Sequence, residues 1–112
     1  MNKIPFQLID WDAVPATEHK GETGMAYWRT LQLGNLRIRR VDYSANYMAD
    51  HWCQKGHIVH CLSGSFVSEM ESGEQFSLSE GMTYVVSDNL SSHRSVSNGG
   101  VSLLIIDGAF LE

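Results

Sequence analysis

The sequence predicts an all-β fold, a sandwich or barrel of short strands. Apolar and polar residues alternate with a period of two. Turn signals recur about every eight to twelve residues, and no window keeps a helical period. The 112 residues, 43% hydrophobic and 19% charged, suit one ordinary globular domain over 1–112 and are too few for two.

The elements follow in order. Residues 1–25 are the least periodic; "DWDAVPATEHKGETG", with Pro15 and two glycines, reads as irregular, a segment to wrap a barrel or meet a second subunit. The barrel proper is expected over 26–108. In "AYWRTLQL" (26–33), Tyr27, Arg29, Leu31 and Leu33 alternate with Trp28, Thr30 and Gln32, and Gly34-Asn35 is a two-residue hairpin signal. "LRIRRVDYS" (36–44) resumes with Leu36 and Ile38 on one face and Arg37 and Arg39 on the other. "HIVHCL" (57–62) is β-branched and apolar, and Ser63-Gly64 is read as a turn into "SFVSEMES" (65–72). Gly73-Glu74 leads to "QFSLS", Gly81 to "MTYVVS" (82–87), and Asn98-Gly99-Gly100 separates "HRSVS" (93–97) from "VSLLIIDG" (101–108).

Composition excludes several functions. The net charge of −5, with eight scattered Lys and Arg, argues against a nucleic-acid partner. No run approaches the ~18 apolar residues of a membrane span, and "MNKIPFQLIDWD" lacks the apolar core of a secretion signal, so a cytoplasmic location is expected. In that reducing compartment Cys53 and Cys61 are expected as free thiols, filling a core or binding metal. There is no GxGxxG, no phosphate-binding loop and no GxSxG.

The chemistry concentrates in "DHWCQKGHIVHC" (50–61), which holds three of the five histidines and both cysteines. If this stretch is extended, His51, Cys53 and His57 point to one side, and Gly56 permits a bend between the last two. Val59 and Cys61 continue that face as core, while His60 faces away. Asp50 would hold a turn or accept from the imidazole of a metal-bound histidine, and Trp52 would pack in a sheet or interface.

The spacing His51-x-Cys53, three residues, His57, six residues, Gly64 resembles the first motif of the small cupins. That motif reads HxH, three or four residues, Glu, six residues, Gly. Here Cys53 stands in the second-histidine place and His57 in the glutamate place. "GMTYVVSDNLSSHR" (81–94) resembles the second motif, with Ser87-Asp88-Asn89 replacing PxG and His93 arriving one residue late. "DHWC…KGH" is also similar to the group called DHCW-motif cupins. The resemblance covers roughly residues 34–107.

The resemblance implies one jelly-roll barrel whose mouth holds a divalent transition metal on His51, Cys53, His57 and His93. Three imidazoles and a thiolate suit Zn²⁺, with Fe²⁺, Ni²⁺ and Cu²⁺ as alternatives that imidazole also accepts. Four protein ligands in a tetrahedron would close the site; three histidines, with Cys53 only lining the pocket, would leave positions open. Tyr47 is the preferred pocket residue, with Tyr43, Tyr84, Arg37 and Arg39 as further polar groups. The expected function is a metal-binding cupin that binds or transforms a small polar molecule; the alternative is a non-catalytic ligand-binding or sensor module with a closed structural metal or none. Whether the chain is an enzyme stays open at this point. The open edges of a short barrel, with Trp11, Trp28 and the N-terminal segment, predict a homodimer.

Overall fold

The computed structural model describes residues 3–112. Seven strands build one antiparallel sheet that curls on itself: β1 (Ala16–Lys20), β2 (Met25–Leu33), β3 (Leu36–Met48), β4 (His57–Met70), β5 (Gln75–Ser79), β6 (Thr83–Val86) and β7 (His93–Gly108). The spatial order is β1-β2-β3-β7-β4-β5, and β6 shares the free edge of β4 with β5. The expected hairpin forms, Leu33 facing Leu36 across Gly34-Asn35. Among the described residues no helix is long and apolar enough to cross a membrane.

Two expected turns are bends instead. Ser63-Gly64 lies inside the single strand β4, and Asn98-Gly99-Gly100 inside the single strand β7. The β4–β7 ladder runs on through both, with register shifts between Cys61 and Ser63 and between Gly64 and Val67. At the crossing Gly64 has φ +80° and Gly100 φ +89°, and a Cβ on Gly64 would lie 2.6 Å from the carbonyl oxygen of Gly100. Only glycine meets both demands. The bend is severe. A straight strand from His93 to Asp107 would span on the order of 45 Å, yet both residues approach His57. The long β4–β7 ribbon therefore folds over at the glycine pair, and the fold-over makes the site.

The core lies within the curl: Val41, Val59, Cys61, Phe66, Leu78, Val101, Leu103 and Ile105. On β7 the buried positions His93, Ser97, Val101, Leu103, Ile105 and Asp107 share one parity, so a single strand face supplies apolar core and polar groups alike. Leu103, fully buried, contributes about 2 kcal/mol of burial by itself. Cys61 is core, as expected; its thiol donates to the carbonyls of Ser63 and Gly64.

The segment expected to be irregular carries structure of its own. Strand β1 pairs with β2 from Ala16 opposite Arg29 to Lys20 opposite Met25. Ahead of it, Trp11–Ala13 form a 3-10 turn in which the Asp10 carboxylate accepts from the Asp12 N–H. Arg29 Nη1 donates to the carbonyls of Trp11 and Val14, and the His19 ring stacks on Trp28 at 3.8 Å.

Candidate metal centre

His57 opens β4, His93 opens β7, and Cys53 lies in the loop between β3 and β4. An isolated bridge joins loop to strand: the Cys53 N–H donates to His93 O at 2.7 Å, and the His93 N–H to Cys53 O at 2.9 Å. The loop is pinned again where the Gly56 N–H donates to Asp88 Oδ1 at 2.6 Å and the Asn89 N–H to Gln54 O at 2.8 Å. Asp88 and Asn89 of the SDN triplet thus anchor the loop that carries Cys53.

These contacts bring one donor atom each of Cys53, His57 and His93 within 4.8 Å of one another. Cys53 Sγ stands 3.7 Å from His57 Nε2. A tetrahedral zinc ion holds its sulfur and nitrogen ligands about 3.6 Å apart. His93 Nε2 is buried and has no hydrogen-bond partner among the described residues, an arrangement a bound cation would satisfy.

Each histidine has its other nitrogen engaged. His57 Nδ1 lies 3.1 Å from Asp107 Oδ2, and His93 Nδ1 2.8 Å from Ser91 Oγ. With Nδ1–H donating to these acceptors, both Nε2 atoms carry free lone pairs, the tautomer metal ligands take. Burial, then the Arg39 charge, push His57 down to about 4, Asp107 opposing and His93 adding to the fall. Burial likewise holds His93 below the ordinary histidine value. Both rings are neutral near pH 7, as ligation requires.

His51 is not with them. The stretch 49–56 is a loop, so strand parity does not govern it, and His51 stands at the cavity rim with its side chain 75% exposed. Its Nδ1 lies 2.7 Å from Asp50 Oδ1. Asp50 thus pairs with the exposed imidazole beside it in sequence and not with a ring of the cluster. Trp52 lies under the Arg94 guanidinium at 4.4 Å, and His60, off the site, contacts Thr83 Oγ1.

Beside the cluster opens a cavity of about 250 Å³. Its wall includes Tyr47, the expected pocket residue, and also Tyr43, Tyr84, Arg37 and Arg39. Tyr47 stacks on Tyr43 at 4.2 Å, and burial keeps both phenols above their ordinary value, hence as neutral donors. Asp107, absent from the sequence-based site, is the hub. It accepts from Arg37 Nε and Nη2 at 2.9 Å, from Arg39 Nη2 at 3.0 Å and from His57 Nδ1. Burial alone would raise its carboxyl; the Arg37 hydrogen bond and the Arg39, Arg37 and His57 charges outweigh that and leave it below the usual range. Its signal was in the sequence: in "VSLLIID" it shares the parity of Val101, Leu103 and Ile105, and a carboxylate on a buried row needs buried partners.

A curled antiparallel sheet with a His/Cys cluster and a cavity beside it defines a small β-barrel with a group of side chains able to hold a metal ion. More narrowly, the barrel is that of the cupins. The chain is similar to ectoine synthase from P. lautus (TM-score 0.73, 15% identity, covering 92% of this chain and 78% of that one). It is similar to a predicted oxalate decarboxylase from Thermotoga maritima (TM-score 0.75, 13% identity, covering 91% and 99%). A cupin-like protein from Thermotoga maritima also matches (TM-score 0.73, 14% identity, covering 88% and 81%). At these identities the likeness is one of fold. No protein-family model matches the sequence, and no curated protein is detectably similar to it.

Proposed function

We propose that this cupin holds a divalent transition metal on Cys53, His57 and His93, zinc first among the candidates, and binds or transforms a small polar molecule in the adjoining cavity. The observation that carries the reading is the buried, unpartnered Nε2 of His93 beside two further donor atoms at ligand spacing. A mixed thiolate and imidazole set suits zinc, and three protein ligands leave a position for a ligand. A bound zinc supplies Lewis acidity. The chain's own groups do the rest: Asp107 fixes the His57 ring, Ser91 that of His93, Val59 and Leu103 exclude water, and Tyr47 offers a hydroxyl to the occupant.

The test is elemental analysis of protein purified without an immobilised metal. About one equivalent of metal is expected, lost in His57→Ala and His93→Ala. Metal-free protein after growth with zinc, iron, nickel and copper supplied would overturn the reading.

A second reading closes the site. His51 lines the same cavity and has Nδ1 committed to Asp50, which leaves Nε2 free to complete a tetrahedron and make the metal structural. His51→Ala separates the two. A large fall in metal affinity favours the closed, non-catalytic module, and an unchanged affinity the open site. For the oligomer, the exposed apolar side chains of Ile4, Phe6 and Leu8 support a homodimer.

A further inference from the structure

The cavity carries more positive charge than its own residues neutralise. Arg37 and Arg39 both line it and both turn to one carboxylate, Asp107; the pair makes three hydrogen bonds to it. Asp107 is shared in addition with His57. The other two cations on the wall have partners elsewhere, Lys55 with Asp88 at 4.0 Å and Arg94 with Glu69 at 2.7 Å. The two guanidiniums therefore outnumber their carboxylate by one charge; the Arg37 side chain is 31% exposed, whereas Arg39 is shut away from water. Arg39 is 5% exposed, lies over the Trp28 ring at 4.6 Å, and has a buried Nε with no hydrogen-bond partner. An arginine cannot shed its proton, so a buried guanidinium that shares its one carboxylate with a second favours a further anion. A divalent ion held by one thiolate and two neutral imidazoles would add a further net positive charge.

The remaining wall narrows the choice of anion. A guanidinium fork matches a planar carboxylate or a phosphate. Val59, Leu103 and Ile105 give the cavity an apolar floor, which suits a hydrocarbon chain better than a fully polar anion. The volume of about 250 Å³ equals roughly eight water volumes.

We propose that the cavity binds a short aliphatic carboxylic acid as its anion, the carboxylate on Arg37 and Arg39 and the chain on Val59, Leu103 and Ile105. The proposal names the ligand class of the site described above, and rests on that reading for the placing of the ligand's far end against the metal. The arginine pair itself needs no metal.

The experiment is calorimetric titration at low ionic strength of the full chain, once stripped with a chelator and once loaded with zinc. The probes are butyrate, glutarate, butyramide and inorganic phosphate, and zinc content is measured on the same samples. Butyrate or glutarate is expected to bind both forms, at least about tenfold more tightly than butyramide or phosphate. Arg37→Gln, which leaves Arg39 on Asp107, is expected to weaken the acid by about tenfold. Arg39→Lys keeps the charge and loses the fork, and is expected to weaken it too. Binding of neither acid, butyramide binding as well as butyrate, phosphate binding more tightly than both acids, or unchanged affinity in Arg37→Gln would each overturn the proposal. Acid binding without any zinc uptake supports it and sinks the metal reading; zinc uptake with no acid binding sinks this proposal alone.

Discussion

His57 is held between opposed influences. Burial and the Arg39 charge disfavour its protonated form, while Asp107 favours it by less, and the folded value falls to about 4. An unfolded histidine titrates near 6.5. Below that value the unfolded chain binds a proton that the folded chain refuses, so folding stability falls with pH from about 6.5 to about 4 and then levels off. For His57 alone the loss reaches at most about 3 kcal/mol, and His93, shifted the same way, adds to it. Asp107 acts in another window: its carboxyl lies below the ordinary value, so its contribution is lost only at more acid pH. Urea midpoints of chelator-treated protein between pH 7.5 and 4 are expected to fall across this range, and those of His57→Gln to fall less. Coincident profiles for the two would refute the assignment. At this scale the sequence, through its likeness to the two cupin motifs, picks out Cys53, His57 and His93, whose donor atoms lie within 4.8 Å of one another. It misplaces His51 because face parity holds only along a paired strand, and 49–56 has no ladder until Cys53 meets His93.

The bend in β4 and β7 is the element on which the site depends. It carries both ends of β7 to His57, through Gly64 and Gly100 passing backbone to backbone. Gly64→Ala meets a left-handed φ and a backbone oxygen 2.6 Å away that cannot move without breaking the ladder. Gly81→Ala is the control: its φ is +89°, but an added Cβ meets nothing within 4 Å. The control is expected to cost about 1 kcal/mol, and Gly64→Ala at least about 2 kcal/mol, with melting lowered by roughly 10 °C. Equal losses in thermal melts would show that the close crossing is not what holds the bend. The same chemistry explains why two long strands read as four short ones. A glycine with positive φ between two β-branched runs is the signature of a turn and of a sharp bend alike, and only the partner strand tells them apart. Strand β1 was illegible for a different reason. "ATEHK" lies at the sheet edge with mostly exposed side chains, so its backbone pairs while no apolar row marks it.

At the scale of the whole molecule, the sheet ends in open edges and the N-terminal segment in an unpacked arm. Phe6 is 94% exposed and Leu8 86%; with Ile4 they alternate with Pro5 and Gln7, so an extended arm presents all three on one face. An apolar row of this kind is unfavourable in water unless something covers it. Phe76 and Val85 stand exposed beside a second hollow of about 190 Å³ that also takes in Met70, Leu78, Tyr84 and Ser91. An arm from a second copy laid against that hollow, with the exchange repeated by two-fold symmetry, would bury both surfaces. The arm itself supplies no residue to the His/Cys cluster or to the cavity wall, so substitutions on it leave those donor atoms in place. Light scattering at micromolar concentration is expected to give twice the 12.5 kDa chain mass, and the double substitution Phe6→Asp, Leu8→Asp to give the single-chain mass with metal content unchanged. A monomeric mass for the unaltered chain would remove the homodimer, and a dimer that survives the double substitution would move its interface away from the arm.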